Sequence, residues 1–299
     1  MPPQSSEVLF VIGGAFALAA LAIFVSGFFP AARKSSQDLW ATYLSEFLLV
    51  GAIIIPAALG AWVFTLLLML VAARGQFELA RLFTLRDWSV PQLLAVAVGA
   101  LVIACVWLGY AGAVPALLGL GVVVITLGAF LSPVATRALT LPVTVLGLLF
   151  PVLCCVMAAA LRNAPQGFVW IVVAYAIVEI NDASALLAGK LFGTRRILPR
   201  LSPGKTAEGL ATGIAIGGAS GIALGHWLLD LPLPMAAFLA MFVLVAGIVG
   251  DLGTSALKRA RGQKDFSPVL RRHGGVLDIY DAFLAAAPAA YVFRVVTGV

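Results

Sequence analysis

Long apolar stretches alternate with short polar segments along nearly the whole chain. A helix that crosses a bilayer needs about 20 mostly apolar residues, and these stretches reach that length. The pattern predicts about nine spans: Val8–Phe29, Phe47–Ala73, Leu93–Leu108, Val114–Leu131, Leu141–Leu161, Phe168–Leu187, Gly209–Leu229, Met235–Ser255 and Ala282–Val296. The predicted fold class is therefore all-α, a polytopic integral membrane protein. A transmembrane β-barrel would show short alternating segments instead.

The details of three predicted spans affect how the bundle is built. Val8–Phe29 has no basic residue before it and an apolar core too long for a signal peptide, so we interpret it as a retained span. Phe47–Ala73 contains Pro56, which predicts either a kink or an interfacial helix joined to a span. Residues 209–225 are rich in glycine, which predicts close packing against neighbouring helices.

Composition supports the membrane assignment and leaves no room for a separate soluble domain. Apolar residues make up 62% of the 299 residues and charged residues only 11%, whereas a soluble domain carries about a quarter charged residues. Cys105, Cys154 and Cys155 lie inside apolar stretches without metal-ligand spacing. We therefore expect them to pack as small apolar side chains rather than to form disulfides or bind zinc.

Basic residues are distributed unequally between the two sides of the predicted bundle. With nine spans, 15 of the 19 Lys and Arg residues fall on the side that carries segments 190–208 and 256–280. Cytoplasmic segments carry the excess of Lys and Arg, so this side is predicted to be cytoplasmic. An error in the second span would change only the position of the N-terminus.

The densest charge lies between Ser255 and Asp281, which hold six of the basic residues. Asp251 comes four residues before this stretch. Asp251, Ser255 and Lys258 are spaced i, i+4 and i+7, so they share one face if the helix continues. Such a carboxylate can hold Mg²⁺ and present it to phosphate, since hard cations prefer oxygen ligands. The alternative interpretation is an interfacial helix end with snorkelling lysines.

More candidate residues follow in the same segment: Lys264, Asp265, His273, Gly274, Gly275, Asp278 and Asp281. Asp278 and Asp281, at i and i+3, can point the same way as the last span begins, although each alone is also an ordinary helix N-terminal residue. The two glycines predict a tight turn at which backbone can approach a ligand closely. Together with Asp251, these residues predict a site for a polyphosphate and a metal ion.

A second cluster lies between Glu179 and Gly209. Glu179 and Asp182 share one face of the sixth span, and ionisable groups at membrane depth are functional candidates. The segment Ser202–Thr206 is predicted to open the seventh helix and to cradle phosphate with hydroxyls, free amides and Lys205. It is not a P-loop, because GxxxxGK[ST] is absent, and an ordinary helix start is the alternative.

Ten residues near the C-terminus resemble, in their order, the signature of the phosphatidate cytidylyltransferases, the CDP-diacylglycerol synthases. They are Ser255, Lys258, Arg259, Lys264, Asp265, His273, Gly274, Gly275, Asp278 and Asp281. Residues 202–209 and Asn181-Asp182 resemble the same family, so the likeness covers roughly residues 175–285. The chain departs from that pattern at Gly204, Arg271, Arg272 and Ile279. These positions are compatible with a divergent paralogue that has another lipid acceptor.

The resemblance implies transfer of a cytidylyl group from CTP to phosphatidate with Mg²⁺ as cofactor. Whether a second cation binds is left open. It implies metal binding by Asp251, Asp278 and Asp281, and CTP binding by Asp182, Ser202, Lys205, Thr206 and Ser255. It implies catalytic roles for Asp251, Lys258, Arg259, Lys264, Asp265, His273, Asp278 and Asp281. Residues 166–299 would then form the catalytic region and residues 1–165 a scaffold of transmembrane helices.

Other functions remain open at this stage. The first alternative is a related CTP-using membrane enzyme, a lipid kinase of the polyprenol type, whose products would be CDP and a phospholipid. A secondary transporter and a non-catalytic paralogue are further alternatives. Transporters show repeated halves and polar residues near the bilayer midplane, whereas these polar residues crowd one membrane face. The expected partners are CTP, phosphatidate and membrane lipids, and no nucleic acid. Whether the protein forms a homodimer is left open. The expected location is a bacterial inner membrane with the site facing the cytoplasm.

Overall fold

The computed structural model describes residues 33–83, 89–130, 134–199, 201–267 and 274–299. Most of these residues are helical, which confirms the predicted fold class. The helices are α1 Arg33–Leu59, α2 Ala61–Leu82, α3 Val90–Trp107, α4 Val114–Ala129, α5 Val134–Gly147, α6 Leu153–Asn163, α7 Gly167–Phe192, α8 Ala207–Leu228, α9 Leu233–Ala260 and α10 Val276–Thr297. A 3₁₀ turn at Ala111–Ala113 precedes α4, and a π-helical turn at Leu148–Val152 joins α5 to α6.

Eight helical segments in the described ranges are long and apolar enough to cross a membrane. They are Ala61–Leu82, Val90–Trp107, Ala111–Ala129, Leu139–Asn163, Gly167–Phe192, Ala207–Leu228, Leu233–Ala260 and Val276–Thr297. The third to ninth predicted spans each fall on one of these segments. The predicted span Val8–Phe29 lies outside the described residues.

The second predicted span, Phe47–Ala73, consists of parts of two helices, α1 and α2. The alternative of one kinked helix is wrong, whereas that of a helix joined to a span agrees with the structure. The backbone breaks at Gly60, whose φ of +145° is a conformation that L side chains rarely adopt and that ends α1. Pro56 lies inside α1 and does not end it. The next helix then continues beyond Ala73 to Leu82, so its last turns carry charged residues.

The chain divides into two compact units, Met1–Phe64 and Thr65–Val299. Every candidate site residue lies in the second unit. Within it, α10 packs against α6, α7 and α9, and α8 packs against α7 and α9. Aromatic contacts fill the interior of this unit, for example the edge-to-face pair of Tyr175 and Phe283, whose ring centroids are 5.5 Å apart. The functional division at residues 165 and 166 stays a prediction.

A short antiparallel hairpin connects α7 to α8. It consists of β1, Arg196–Leu198, and β2, Ser202–Thr206, with Leu198 opposite Ser202. The prediction that residues 202–206 open a helix is therefore wrong. The helix begins at Ala207 because Thr206 is extended, with φ −110° and ψ 156°, and its hydroxyl accepts from the Gly209 amide at 3.1 Å, as an N-cap does.

A stripe of glycines lets α7 and α8 approach closely. The stripe consists of Gly209, Gly213, Gly217 and Gly221, which follow one another every fourth residue along α8. A Cβ added at Gly213 would lie 2.9 Å from the Asn181 carbonyl oxygen, and one at Gly217 would lie 3.1 Å from the Asn181 Cα. This confirms the predicted close packing and places Asn181 beside the second and third turns of α8.

Candidate active site

Asp251, Ser255 and Lys258 lie on one continuous helix, as their spacing predicts, because α9 extends to Ala260. The carboxylate of Asp251 accepts from the Ser255 hydroxyl at 3.4 Å through Oδ1. Through Oδ2 it forms an ion pair with the ammonium of Lys205, which belongs to β2 and is 46 residues away in the chain. The structure thus joins the two charged clusters that the sequence contains.

A cavity of about 340 Å³ lies next to this ion pair. Its walls come from α7, β2, the start of α8 and α9, and they are formed by Asn181, Asp182, Ala185, Leu186, Gly204, Lys205, Thr206, Gly209, Leu210, Ile248 and Asp251. The Asp182 carboxylate accepts from the Asn181 side-chain amide at 2.8 Å. The cavity therefore presents two carboxylates, one ammonium and one hydroxyl to a ligand.

The amides at the start of α8 contribute less to this cavity than expected. The Ala207 amide donates to the Arg195 carbonyl at 2.8 Å, and the Gly209 amide donates to the Thr206 hydroxyl. Both groups are therefore already used inside the protein. Any cradle for phosphate here depends on the Lys205 ammonium more than on these two amides.

Asp278 is held by three donors at the start of α10. Its Oδ1 accepts from Lys258 Nζ at 2.6 Å, and its Oδ2 accepts from the Phe266 and Gly275 amides, each at 2.8 Å. The side chains of Lys258 and Asp278 are only 11% and 6% exposed. This buried pair fixes the segment that follows α9 against the start of α10.

Asp281 is buried one turn further along α10. Its Oδ2 accepts from the Thr254 hydroxyl at 2.8 Å, and its Oδ1 accepts from the Ala282 amide at 2.7 Å. Asp251 lies within Coulombic range of both Asp281 and Asp182. Asp182 and Asp251 line the cavity together with Lys205, and Asp281 adds negative charge near Asp251, so the region around Asp251 is attractive to a cation.

The Gly274-Gly275 turn is close to two carboxylates of the protein itself. Gly274 has φ +79°, and a Cβ there would lie 2.5 Å from the Asp278 carboxylate. A Cβ on Gly275 would lie 2.5 Å from a carboxylate oxygen of Glu78 on α2. The backbone is approached closely here, as predicted, and in this structure the approaching groups are protein side chains.

The remaining predicted site residues are more peripheral. Arg259 donates to the carbonyls of Leu201 and Gln263 at 3.2 and 3.1 Å, so it ties the end of α9 to the hairpin. Lys264 and Asp265 are exposed just after α9, and Ser202 is half-buried in β2. His273, with Arg271 and Arg272, lies outside the described residues.

The donor set fits a hard divalent cation at Asp251. Carboxylate oxygens are the ligands such ions prefer, and Mg²⁺ usually takes one or two carboxylates and completes its shell with substrate phosphates and water. In the described part of the chain, no group of three or more His, Cys, Asp or Glu is placed to hold a metal ion alone. Asp251, Asp278 and Asp281 each accept hydrogen bonds at both carboxylate oxygens, and of the three only Asp251 lines the cavity. Metal binding by all three stays a prediction.

Two residues that contact the site, Glu78 and Arg74, were not predicted from the sequence. Glu78 on α2 accepts from the Val276 and Leu277 amides at the start of α10, each at 2.9 Å, and from Arg74 at 3.0 Å. Arg74 also donates to the Ser267 hydroxyl at 3.0 Å. The available signal was an acidic and a basic residue four positions apart within an otherwise apolar region.

A second, apolar cavity of about 340 Å³ lies on another side of α9. It is lined by Leu146, Phe150, Val249, Gly250, Gly253, Thr254 and Leu257. Thr254 belongs to this groove and also donates to Asp281. The groove therefore lies directly beside the carboxylate cluster.

Comparison with known proteins shows which sequences this chain resembles. The chain is 40% identical over 135 residues to the phosphatidate cytidylyltransferase of Bacillus subtilis (44% of this chain, 49% of the relative). It is 38% identical over 117 residues to the phosphatidate cytidylyltransferase of Aquifex aeolicus (38% of this chain, 43% of the relative). It is 34% identical over 131 residues to the uncharacterized protein YnbB of Escherichia coli (44% of each).

The aligned part of the chain spans about half the length of these curated relatives. The sequence model of the Cytidylyltransferase family extends the match to residues 40–297. That range includes α2 with Arg74 and Glu78, both charged clusters and the apolar groove. Because the match covers most of the sequence, the chain belongs to the Cytidylyltransferase family.

Proposed function

We propose that the protein transfers a cytidylyl group from CTP to phosphatidate, which yields CDP-diacylglycerol and pyrophosphate. The observation that carries this proposal is the cavity in which Lys205, Asp251 and Asp182 meet at the ends of membrane-spanning helices. A cation-binding carboxylate cluster beside an ammonium suits a metal-bound polyphosphate. Family membership and two relatives named phosphatidate cytidylyltransferase support the same reaction.

The reaction is a displacement at phosphorus. A phosphate oxygen of phosphatidate attacks the α-phosphorus of CTP, and the bond from that phosphorus to the oxygen bridging it to the β-phosphorus breaks. The electron pair leaves with pyrophosphate, and the new bond is the P–O–P linkage of the CDP-lipid. The nucleophile is already anionic near neutral pH, so the main obstacle is repulsion between two polyanions. Fixed positive charges remove that repulsion without covalent work by the protein.

The roles of individual residues follow from their positions. Lys205 binds a phosphate of CTP from the β2 side of the cavity, and Ser255 supports Asp251. Asp251 and Asp182 would hold Mg²⁺, and the ion would supply positive charge that offsets the negative charge of the phosphates and of the leaving pyrophosphate. Lys258 holds Asp278 and thereby the segment between α9 and α10, while Lys264 is exposed at its edge.

The proposed membrane side follows from the arrangement of the spans. The hairpin between α7 and α8 and the segment between α9 and α10 lie on one side, because two spans separate them. These two segments are the richest in Lys and Arg, which favours the cytoplasmic side. CTP is available there, so we infer a multi-pass protein of a bacterial inner membrane with its site facing the cytoplasm.

An assay with differently labelled CTP tests the reaction. With phosphatidate and Mg²⁺, label at the α-phosphorus should appear in a lipid of CDP-diacylglycerol mobility, and label at the γ-phosphorus should appear in pyrophosphate. Release of CDP with label from the γ-phosphorus in a lipid would instead identify a CTP-dependent lipid kinase. CTP-independent counterflow of a solute in proteoliposomes, without either product, would favour a transporter.

The apolar groove is the proposed site for an acyl chain of the lipid. It lies on α9 beside the carboxylate cluster, and Thr254 connects the two. A Cβ at Gly253 would meet nothing within 4 Å, so the groove has room for a chain at that point. An apolar tail would remain in apolar surroundings while its phosphate reached the cavity side of α9.

Gly253→Leu should therefore raise KM for phosphatidate by roughly tenfold, because a branched apolar side chain then occupies part of the groove. KM for CTP should stay within about twofold, since the CTP cavity is lined by other residues. Steady-state kinetics in mixed micelles, with each substrate varied in turn, checks this split. Equal effects on both KM values would argue against an acyl chain in this groove.

A further inference from the structure

The start of α10 is held by a carboxylate that comes from a distant part of the chain. Glu78 lies on α2, 198 residues before Val276, whose amide donates to its Oε1 at 2.9 Å. The Leu277 amide donates to its Oε2, also at 2.9 Å. We propose that Glu78 is a positioning residue for the reaction: it fixes the first turn of α10 and thereby Asp278 and Asp281. This inference rests on the proposed function.

Both carboxylate oxygens of Glu78 have hydrogen-bond donors within the protein. Its side chain is 0% exposed, so it does not touch a ligand that enters from water. A buried carboxylate without partners would be very costly, and here Arg74 Nε and two amides compensate its charge. Hydrogen bonds from backbone amides to a carboxylate are charge-assisted, which makes them stronger than neutral ones.

The Gly275 position shows how closely Glu78 approaches. A Cβ at residue 275 would lie 2.5 to 2.7 Å from three atoms of the Glu78 carboxyl group. Real Cβ atoms essentially never come that near another atom. Glycine at 275 is therefore required by Glu78, whereas glycine at 274 is required by its positive φ and by Asp278.

Three successive amides at the start of α10 donate to carboxylates of the protein. The Gly275 amide donates to Asp278, and the next two amides donate to Glu78. The same turn leads to Asp278, which pairs with Lys258, and then to Asp281, which accepts from Thr254. A shift of this turn would move both carboxylates relative to α9 and to Asp251.

Arg74 extends the same connection to the segment after α9. It donates to Glu78 through Nε and to the Ser267 hydroxyl through its terminal guanidinium nitrogen, each at 3.0 Å. Ser267 is buried and follows Phe266, whose amide donates to Asp278. The Arg74–Glu78 pair on α2 therefore contacts both Ser267, between α9 and α10, and the first turn of α10.

Glu78→Gln tests the proposal, because the amide keeps the shape but replaces one acceptor oxygen by a donor group. One of the Val276 and Leu277 amides then faces an NH₂ group. We expect kcat to fall roughly 10- to 100-fold, with KM for CTP within about twofold. Glu78→Asp, which keeps the charge but is shorter by one methylene, should recover part of that loss.

Amide hydrogen exchange of the purified protein in detergent gives a readout that does not require activity. The amides at 276 and 277 should exchange roughly tenfold faster or more in Glu78→Gln. The control is Asp230→Asn, the same carboxylate-to-amide change at an exposed residue between α8 and α9. It should leave kcat and the exchange of these amides unchanged.

The outcomes separate this proposal from the proposed function. If the unmodified protein makes no CDP-diacylglycerol, the function fails, while exchange at 276 and 277 still tests the contact. Faster exchange with unchanged kcat, or reduced kcat with unchanged exchange, would overturn the positioning role. If Glu78→Gln does not fold, the same measurements on Glu78→Asp decide.

Gly275→Ala, combined with Glu78→Gln, should add little to the loss of kcat caused by Glu78→Gln alone, because both substitutions disrupt the same contact. Fully additive losses would contradict the proposal.

Discussion

Replacement of Asp251 by asparagine is expected to lower kcat by 10²- to 10³-fold or more, because it removes charge at the point where cation and phosphate meet. The asparagine would retain the shape of the side chain but would no longer balance the Lys205 ammonium. The cavity would become more positive and would lose its strongest attraction for Mg²⁺. The measurement is the rate of CDP-diacylglycerol formation by purified protein at saturating CTP.

The matched control is Asp230→Asn, which changes the same group at an exposed position. Asp230 lies between α8 and α9, at the opposite ends of these helices from the cavity residues. Asp230 has φ +54°, a conformation that asparagine adopts readily, so this variant should fold and react normally. Asp251→Asn should also extract and purify like the unmodified protein. A folded Asp251→Asn variant with full activity would remove Asp251 from the proposed site.

Replacement of Lys258 by methionine should reduce the free energy of unfolding by roughly 3 kcal/mol, because it leaves Asp278 buried without its cation. The pair is nearly fully buried, with N–O distance 2.6 Å, so water does not replace the lost partner. Thermal unfolding of the purified protein in detergent measures the effect. The loss of stability should be accompanied by a loss of activity, since Asp278 lies in the first turn of α10 and Asp281 follows one turn later.

Two further variants isolate the cause. Lys264→Met removes a charge from an exposed side chain of the same segment and should change stability by less than about 0.5 kcal/mol. Lys258→Met combined with Asp278→Asn should be more stable than Lys258→Met alone, because no unpaired charge then remains. A Lys258→Met variant as stable as the unmodified protein would show that the ion pair contributes nothing to folding.

Much of the fold is predictable from hydrophobicity, because apolar length alone defines a membrane span. The prediction failed where the decisive residue was small. Gly60 ends α1 through its backbone conformation, and a glycine in an apolar run gives no comparable signal. Ending the second span at Ala73, before the first charge, also hid the turns that carry Arg74 and Glu78.

The candidate site was predictable as a set of charged residues but not as a set of contacts. Asp251, Ser255 and Lys258 were correctly placed on one helix, because helical spacing is local. The pairing of Lys205 with Asp251, and of Glu78 with the start of α10, joins residues far apart in sequence. Such pairs depend on how the helices pack, and periodicity contains no information about that.

The hairpin residues 202–206 show a different limit. Pro203, Gly204 and Thr206 are compatible with a helix start, and local propensity alone favoured that interpretation. Pairing of Ser202 with Leu198 extends the backbone instead, and Lys205 then reaches Asp251 from a strand. Lys205 therefore reaches the candidate site from a strand rather than from a helix, and its role in CTP binding stays a prediction.

The Lys205–Asp251 ion pair has a consequence for the order of binding events. Each partner satisfies the other before any substrate arrives, so a lone phosphate must detach Lys205 and leave Asp251 uncompensated. A lone cation at Asp251 faces the converse penalty. Nucleotide and cation that arrive as one complex avoid both penalties, so each should tighten the binding of the other by the same factor. On the proposed function, the Lys205–Asp251 ion pair should therefore disfavour free anions and favour a nucleotide that arrives with its cation.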